Sequence, residues 1–246
     1  LPTRPFRAPH HTMSAVALAG GGAVPKPGEV SLAHNGVLFL DELPEFPKQV
    51  TEILRQPLED GEITITRALG HCTFPTRFMM VCAMNPCRCG NYGNPQKKCT
   101  CRKEDIQKYM ARISGPLLDR IDLQVEVPTL SFEDFSAAEE RESSESVRCR
   151  VNRARAFAKE RFEKVSQPAH CNAELSPRDV GRFCLLEKEA EELLRDAYNS
   201  LGLSARGHDR ILRVARTIAD LAGSEKVSAA HVAEAIRLRK LDRKYF

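Results

Sequence analysis

The first residues here that could do chemistry are two carboxylates closing an apolar run, Val37-Leu38-Phe39-Leu40-Asp41-Glu42. In open α/β sheets, ligands sit outside the carboxyl ends of the strands. An Asp at such an end can hold Mg²⁺, usually through water, and an adjacent Glu can orient and activate a hydrolytic water. The pair could equally cap a helix or face solvent. Asn85 follows a second apolar run, Phe78–Met84, and precedes Pro86. There a neutral amide can donate to a phosphate oxygen or hold an attacking water without adding charge. A turn residue before proline is the plain alternative. Arg120 closes Ser114-Gly115-Pro116-Leu117-Leu118-Asp119-Arg120, after Gly-Pro breaks the preceding helix. An arginine supplied to a neighbouring subunit's phosphate stabilises developing charge; an ion pair with Asp119 or Asp122 is the competing reading.

Cys87-Arg88-Cys89-Gly90 and Cys99-Thr100-Cys101 form two C-x-C pairs nine residues apart. Two thiolate pairs around a Gly/Asn/Pro-rich loop can wrap a tetrahedral Zn²⁺, and Gly90, Gly93, Asn94 and Pro95 allow the tight turns this needs. Disulfides and four free thiols are the alternatives. The other five cysteines, Cys72, Cys82, Cys149, Cys171 and Cys184, read as buried or incidental thiols. An odd total of nine, four of them clustered, does not resemble a secreted disulfide framework, so a reducing cytoplasm is expected.

These residues need elements to position them. The chain has 246 residues, 37 Lys+Arg against 33 Asp+Glu, 42% hydrophobic residues and 28% charged, which suits a globular protein with a sizeable core. No apolar run approaches the ~20 residues of a membrane span. The opening Leu1-Pro2-Thr3-Arg4 has neither an initiator Met nor a signal pattern, so the chain reads as a piece of a longer protein. Val37–Leu40, Phe78–Met84 and, more weakly, Leu123–Val127 are short runs without alternation. They predict strands covered on both faces, hence a parallel sheet flanked by helices. Glu62–Arg67 and His71–Phe74 predict a hairpin around Ala68-Leu69-Gly70. Pro47 opens a predicted helix through Gln56.

Residues 131–145 hold six acids and one base, and residues 146–165 seven bases and two acids. This switch after Pro128 marks the expected boundary, giving a core at 1–130, an acidic linker at 131–147 and a helical domain at 148–246. The helical stretches are Arg148–Phe162, Pro177–Leu186, Lys188–Leu201, Ala205–Leu221 and Ala229–Leu241, with Ser176, Ser204 and Ser228 as starts and Gly202 and Gly223 as stops. Arg206 and Arg210 share one side of their helix, with Arg213 three residues on. Asp209 offers them a helix-surface ion pair. Arg148, Arg150, Arg153, Arg155 and Lys159 could track phosphates or pair with the acidic stretch. A net charge of +4 does not itself announce nucleic acid. His10-His11 could hold a metal, although adjacent side chains point apart on most backbones.

Leu38-Phe39-Leu40-Asp41-Glu42 resembles a Walker B strand, Asn85 a sensor-1 residue, Leu117-Leu118-Asp119-Arg120 an arginine-finger segment, and Ser204-Ala205-Arg206 the sensor-2 start of a lid. Together they resemble AAA+ ATPases of the magnesium-chelatase/MCM branch. Arg4–Thr12, Gly20-Gly21-Gly22, Pro27–Gly36 and Leu238–Arg243 are similar to the bacterial magnesium-chelatase-like proteins, across essentially the whole chain. The resemblance implies an α/β fold, an AAA+ parallel-sheet core with β-hairpin insertions and a helical lid. It implies a hexameric ring that hydrolyses ATP with Mg²⁺ and drives DNA branch migration in natural transformation. By resemblance Asp41 serves Mg²⁺-ATP, Glu42 activates water, Asn85 positions it, Arg120 acts in trans, and Arg206, with Arg210 second, binds the nucleotide. Insertions that line the ring's pore make His10, His11, Lys26 and Arg67 candidate DNA contacts. A motor subunit that helps insert Mg²⁺ into a porphyrin, or a non-catalytic scaffold, would share these motifs. The Walker A loop, Gly-x-x-x-x-Gly-Lys-Ser/Thr, is not in this sequence: Gly20-Gly21-Gly22 lacks the Lys-Ser/Thr. The family carries that loop upstream of where this chain starts. The expectation is therefore an ATPase in the full-length protein and a folded chain here that binds ATP weakly.

Overall fold

The computed structural model describes residues 3–67, 70–128, 142–164 and 169–239, which divide between Ile121 and Asp122 into two compact units. In chain order the first unit carries β1 (Phe6–Arg7), α1 (Ala15–Ala19), β2 (Gly20–Gly21), β3 (Lys26–Pro27), α2 (Glu29–Leu32), β4 (Val37–Leu40), α3 (Lys48–Ile53), α4 (Arg55–Asp60), β5 (Glu62–Arg67), β6 (Gly70–Pro75), β7 (Met79–Cys82), α5 (Lys103–Met110) and α6 (Gly115–Leu118). The parallel sheet has the order β1-β4-β7. Val37 registers with Phe6 on one side and Met79 on the other, and Leu40 with Cys82.

The apolar run of β4 explains its central place. Leu38 and Leu40 are fully buried with Leu18, Val30, Leu54 and Leu117, each burial being worth about 1.5–3 kcal/mol over exposure. Val37 and Phe39 are only half-buried, and Phe39 stacks on the exposed Phe6 at 6.2 Å. The expected cover on both faces is thus complete on one face only. The β5–β6 hairpin is antiparallel from Glu62↔Pro75 to Arg67↔Gly70, with residues 68–69 outside the described ones.

Three expectations in this region are corrected. The helix from Pro47 to Gln56 is two helices hinged at Leu54, with Pro47 as N-cap and not the first helical residue. Pro57 has no N–H for the Ile53 carbonyl, and its ring would collide with it, which breaks the run. The second sheet strand is shorter than its apolar run, covering Met79–Cys82. Leu123–Val127 forms no strand. Its apolar residues alternate outward, Leu123 at 51%, Val125 at 65% and Val127 at 87% exposure, and Gln124 is the buried one.

The second unit carries α7 (Ser144–Phe162), α8 (Pro177–Phe183), α9 (Lys188–Leu201), α10 (Ala205–Leu221) and α11 (Ala229–Arg237). Ser143, Ser176 and Ser204 each accept a backbone N–H of the first turn, and Ser228 forms a capping box with His231. Gly202 and Gly223 stop helices at φ 61° and 68°. Helix α7 starts at Ser144, four residues before its expected start, because Ser143 is the capping residue. Helix α8 ends at Phe183, short of Leu186, which bridges instead to Val227. Most of the acidic linker, residues 131–141, lies outside the described residues, as do 240–246.

Candidate active site

The register of β4 and β7 puts the candidate carboxylates and amide on one edge. The pairing continues past both strands: Ala83 N–H donates to the Leu40 carbonyl and Leu43 N–H to the Ala83 carbonyl, both at 3.0 Å. Asp41, Glu42 and Asn85 therefore leave the sheet at its carboxyl end, and all three are exposed. Asp41 Oδ1 accepts the Glu42 N–H at 2.9 Å, and Glu42 adopts a left-handed conformation, φ 53° and ψ 46°, uncommon for a residue with a side chain. It lets the chain swing into the 3₁₀ turn Leu43–Glu45.

His11 Nδ1 lies 3.3 Å from Glu42 Oε2. Its ring meets Phe46 edge-on at 6.3 Å and packs on His10 at 4.1 Å. The histidine pair belongs to the carboxylate edge. Nothing in the spacing reveals this, because residues 11 and 42 meet only through the parallel pairing of β1 with β4.

Arg120 is nearly buried, with 8% of its side chain exposed. Its Nη1 donates to the Pro116 carbonyl at 2.7 Å, and Nη2 pairs with Glu59. The ion pair runs to Glu59 and not to Asp119 or Asp122, because α4 brings Glu59 beside α6. Arg120 also lines a cleft of about 500 Å³ whose other charged walls are Glu52, Glu59, Asp60 and Arg55.

In the second unit, α10 grades its arginines from solvent to core. Arg206 is exposed. Arg210 pairs with Asp122 at 2.6 Å with 15% of its side chain exposed; burial draws its pKa below the usual guanidinium value, against the pull of Asp122. Arg213 donates to the Leu175 carbonyl at 2.7 Å. Asp209 meets His208 at 3.1 Å.

The glycine run is no phosphate loop. Gly20 and Gly21 pair with Pro27 and Lys26 as a tiny hairpin, and a Cβ on Gly20 would collide with the Lys26 carbonyl oxygen. Among the described residues this run supplies no phosphate cradle. Lys26 is exposed on this hairpin, whose base abuts Ile65 of β5, the strand that ends at Arg67.

The four clustered cysteines converge. All four sulfurs lie within 4.8 Å of one another, with Cys87–Cys89 at 3.4 Å, Cys87–Cys99 at 3.7 Å and Cys89–Cys99 at 3.6 Å. Zn–S bonds of about 2.3 Å imply tetrahedral S···S edges of about 3.8 Å, so the cluster is close to a metal-holding shape. Backbone hydrogen bonds from Asn91 and Thr100 favour the Cys89 thiolate and lower its pKa to about 5. The Cys101 backbone does the same for Cys99, but burial and the neighbouring sulfurs outweigh it and push that thiol up to about 12. Cys87 is fully buried against Ile106, Tyr109 and Met110.

Two family models match the chain: magnesium chelatase, subunit ChlI, over residues 1–135, and magnesium chelatase, subunit ChlI C-terminal, over residues 141–239. Competence protein ComM of Haemophilus influenzae is 47% identical over 241 residues, 98% of this chain and 46% of ComM. The protein YifB of Escherichia coli is 44% identical over 241 residues, 98% of this chain and 46% of YifB. A more distant match, the maternal DNA replication licensing factor mcm6 of Xenopus tropicalis, is 24% identical over 234 residues, 86% of this chain and 25% of that protein. The chain spans about half the length of ComM and YifB.

Proposed function

The chain belongs to the magnesium chelatase ChlI family, and from that premise we propose that the full-length protein is a cytoplasmic, hexameric AAA+ ATPase that translocates on DNA and drives branch migration. The observation that carries the ATPase reading is the carboxyl edge where Asp41, Glu42 and Asn85 emerge together from adjacent parallel strands. The competence and replication-licensing names of the relatives support the DNA reading.

Mg²⁺-ATP, when bound, supplies a polarised phosphoryl group. Asp41 would hold the metal through water, and Glu42 would take the proton of the attacking water. Asn85 would orient that water with its neutral amide. Arg206 would serve the γ-phosphate with Arg210 behind it, and Arg120 would have to leave Glu59 to reach a neighbouring subunit's site. Lys26 and Arg67, on adjoining hairpins, are the proposed DNA contacts; His10 and His11 would reach DNA only from beside Glu42. The four cysteines would hold one structural Zn²⁺.

In the full-length protein, Glu42→Gln should abolish turnover and keep nucleotide binding; undiminished hydrolysis overturns the assignment. The family description favours a second reading, a motor for porphyrin metallation. DNA-stimulated ATP turnover, set against Mg²⁺ insertion into a porphyrin, separates the two. Metal analysis before and after Cys99→Ser with Cys101→Ser tests the zinc, and a metal-free, well-folded wild type defeats it.

A further inference from the structure

Residues 87–103 read Cys-Arg-Cys-Gly-Asn-Tyr-Gly-Asn-Pro-Gln-Lys-Lys-Cys-Thr-Cys-Arg-Lys, with five bases and no acid. In a chain whose charges otherwise nearly balance, that is a local excess. Arg88, Lys97, Lys98, Arg102 and Lys103 are all exposed. Among the described residues none of these five has a carboxylate at ion-pair distance, whereas Arg7, Arg55, Arg112 and Arg120 of the same unit each have one.

The segment is also held in place. It contains no helix or strand up to Arg102, and a loop of this length without regular structure needs a staple or a function. The four converged sulfurs, seated on α5 through Cys87, would supply the staple once they hold the proposed metal. Left-handed turns at Gly90 (φ 75°) and Gly93 (φ 80°) fold the loop back. Asn94 Oδ1 accepts the Gln96 and Lys97 N–H groups at 2.8 and 3.1 Å, which fixes the backbone that presents Lys97 and Lys98. Tyr92, 42% exposed, stands in the same loop. Cations with no carboxylate at ion-pair distance among the described residues, beside an exposed aromatic ring, are the combination that single-stranded nucleic acid requires: charge for the backbone and a platform for a base.

We propose that this cysteine-stapled knuckle binds single-stranded DNA, with Arg88, Lys97, Lys98, Arg102 and Lys103 on phosphates and Tyr92 under a base. The proposal rests on the DNA reading above and adds to it a contact surface separate from the two hairpins. With the metal holding the loop before binding, little ordering entropy would oppose association.

The test uses the full-length protein and a labelled oligothymidylate, followed by fluorescence anisotropy across a salt series. Lys97→Ala with Lys98→Ala should weaken binding about tenfold and reduce the slope of log K against log salt by about 1.4, two single-strand phosphates at about 0.7 each. Tyr92→Ala should weaken binding at least about fivefold with the slope unchanged. Unaltered zinc content in each variant shows that the knuckle stays folded. Wild-type affinity and slope in the double variant overturn the proposal while leaving DNA binding elsewhere intact. A wild-type protein with no affinity for the oligonucleotide instead removes the DNA reading itself.

Discussion

The carboxylates that end β4 and the last arginine of α10 both carry charge off an apolar element, yet they are held in opposite ways. Asp41 and Glu42 are exposed and touch a backbone N–H and a histidine. Arg216 is fully buried. Its Nε donates to Asp220 at 3.0 Å, Nη1 to the Glu225 carbonyl at 2.6 Å, and Nη2 to the Ser224 carbonyl. Asp220 in turn accepts Arg161 at 2.7 and 2.8 Å and Asn172 at 2.7 Å. A buried charge is tolerable only when saturated by partners. A group that must receive a ligand keeps its oxygens open to solvent. Saturation therefore separates the structural charge of Arg216 from the open carboxylates of Asp41 and Glu42, whereas the candidate arginines Arg120 and Arg210 are themselves paired.

The sharpest way to break that distinction is Asp220→Ala. It strands Arg161 and Arg216 without their shared carboxylate and should cost about 3–5 kcal/mol, read as a lowered midpoint in denaturant unfolding of the helical unit. Asp41→Ala, by contrast, should stay within about 0.5 kcal/mol of wild type in denaturant unfolding of the first unit, which holds Asp41. Equal losses in the two variants would show that the exposed edge is a structural site as well.

What could be read from the sequence follows the same division. Helix starts at Ser176 and Ser204 and the stop at Gly202 were legible because capping is local chemistry within three or four residues. The cysteine cluster was legible as a candidate because each C-x-C brings two sulfurs together, while the meeting of the two pairs is seen only in the fold. Leu123–Val127 was misread as a run without alternation, when Gln124 and Glu126 interrupt it and its three apolar residues face solvent. His11 beside Glu42 and Glu59 on Arg120 were invisible, since each depends on tertiary pairing between segments 31 and 61 residues apart. Spacing put Arg206 and Arg210 on one side of α10, and only burial shows Arg206 exposed and Arg210 paired with Asp122.

A second, smaller contrast concerns thiols. In metal-free protein Cys89, lowered to about 5 by backbone donors, should be alkylated first, with a reactivity midpoint near pH 5. Cys184, pushed up to about 11 by burial, should stay unreactive well past neutrality. The signs for stability are opposite. Cys89 is more acidic when folded, so its contribution is present above about pH 9 and is lost as pH falls through about 5. Cys184 is less acidic when folded, so its contribution is present below about pH 9 and is lost as pH rises through about 11. Site-resolved alkylation and urea unfolding across pH, with a chelator present, check both. Equal reactivity of the two thiols would mean that the backbone donors at the knuckle are not formed without metal.

The smallest expected effect lies on α7, which carries one ion pair of each kind. Arg150 makes two bonds to Glu142 at 2.6 and 3.1 Å, as good in geometry as the Arg161–Asp220 pair. The difference is exposure: half of the Arg150 side chain and 44% of Glu142 face water, against 10% and 3% for the inner pair. Arg150 and Ser146 hold the Glu142 carboxyl below its ordinary range, so whatever the pair contributes is present above that range and is lost as pH falls through it. Water and salt screen such a pair, and ordering two long side chains opposes it. Arg150→Ala should therefore leave Tm unchanged within error in physiological salt, whereas Arg161→Ala should lower it by several degrees. If the two variants melt alike, geometry and not burial sets the worth of these pairs, and exposure would no longer mark Asp41 and Glu42 as charges held open for a ligand.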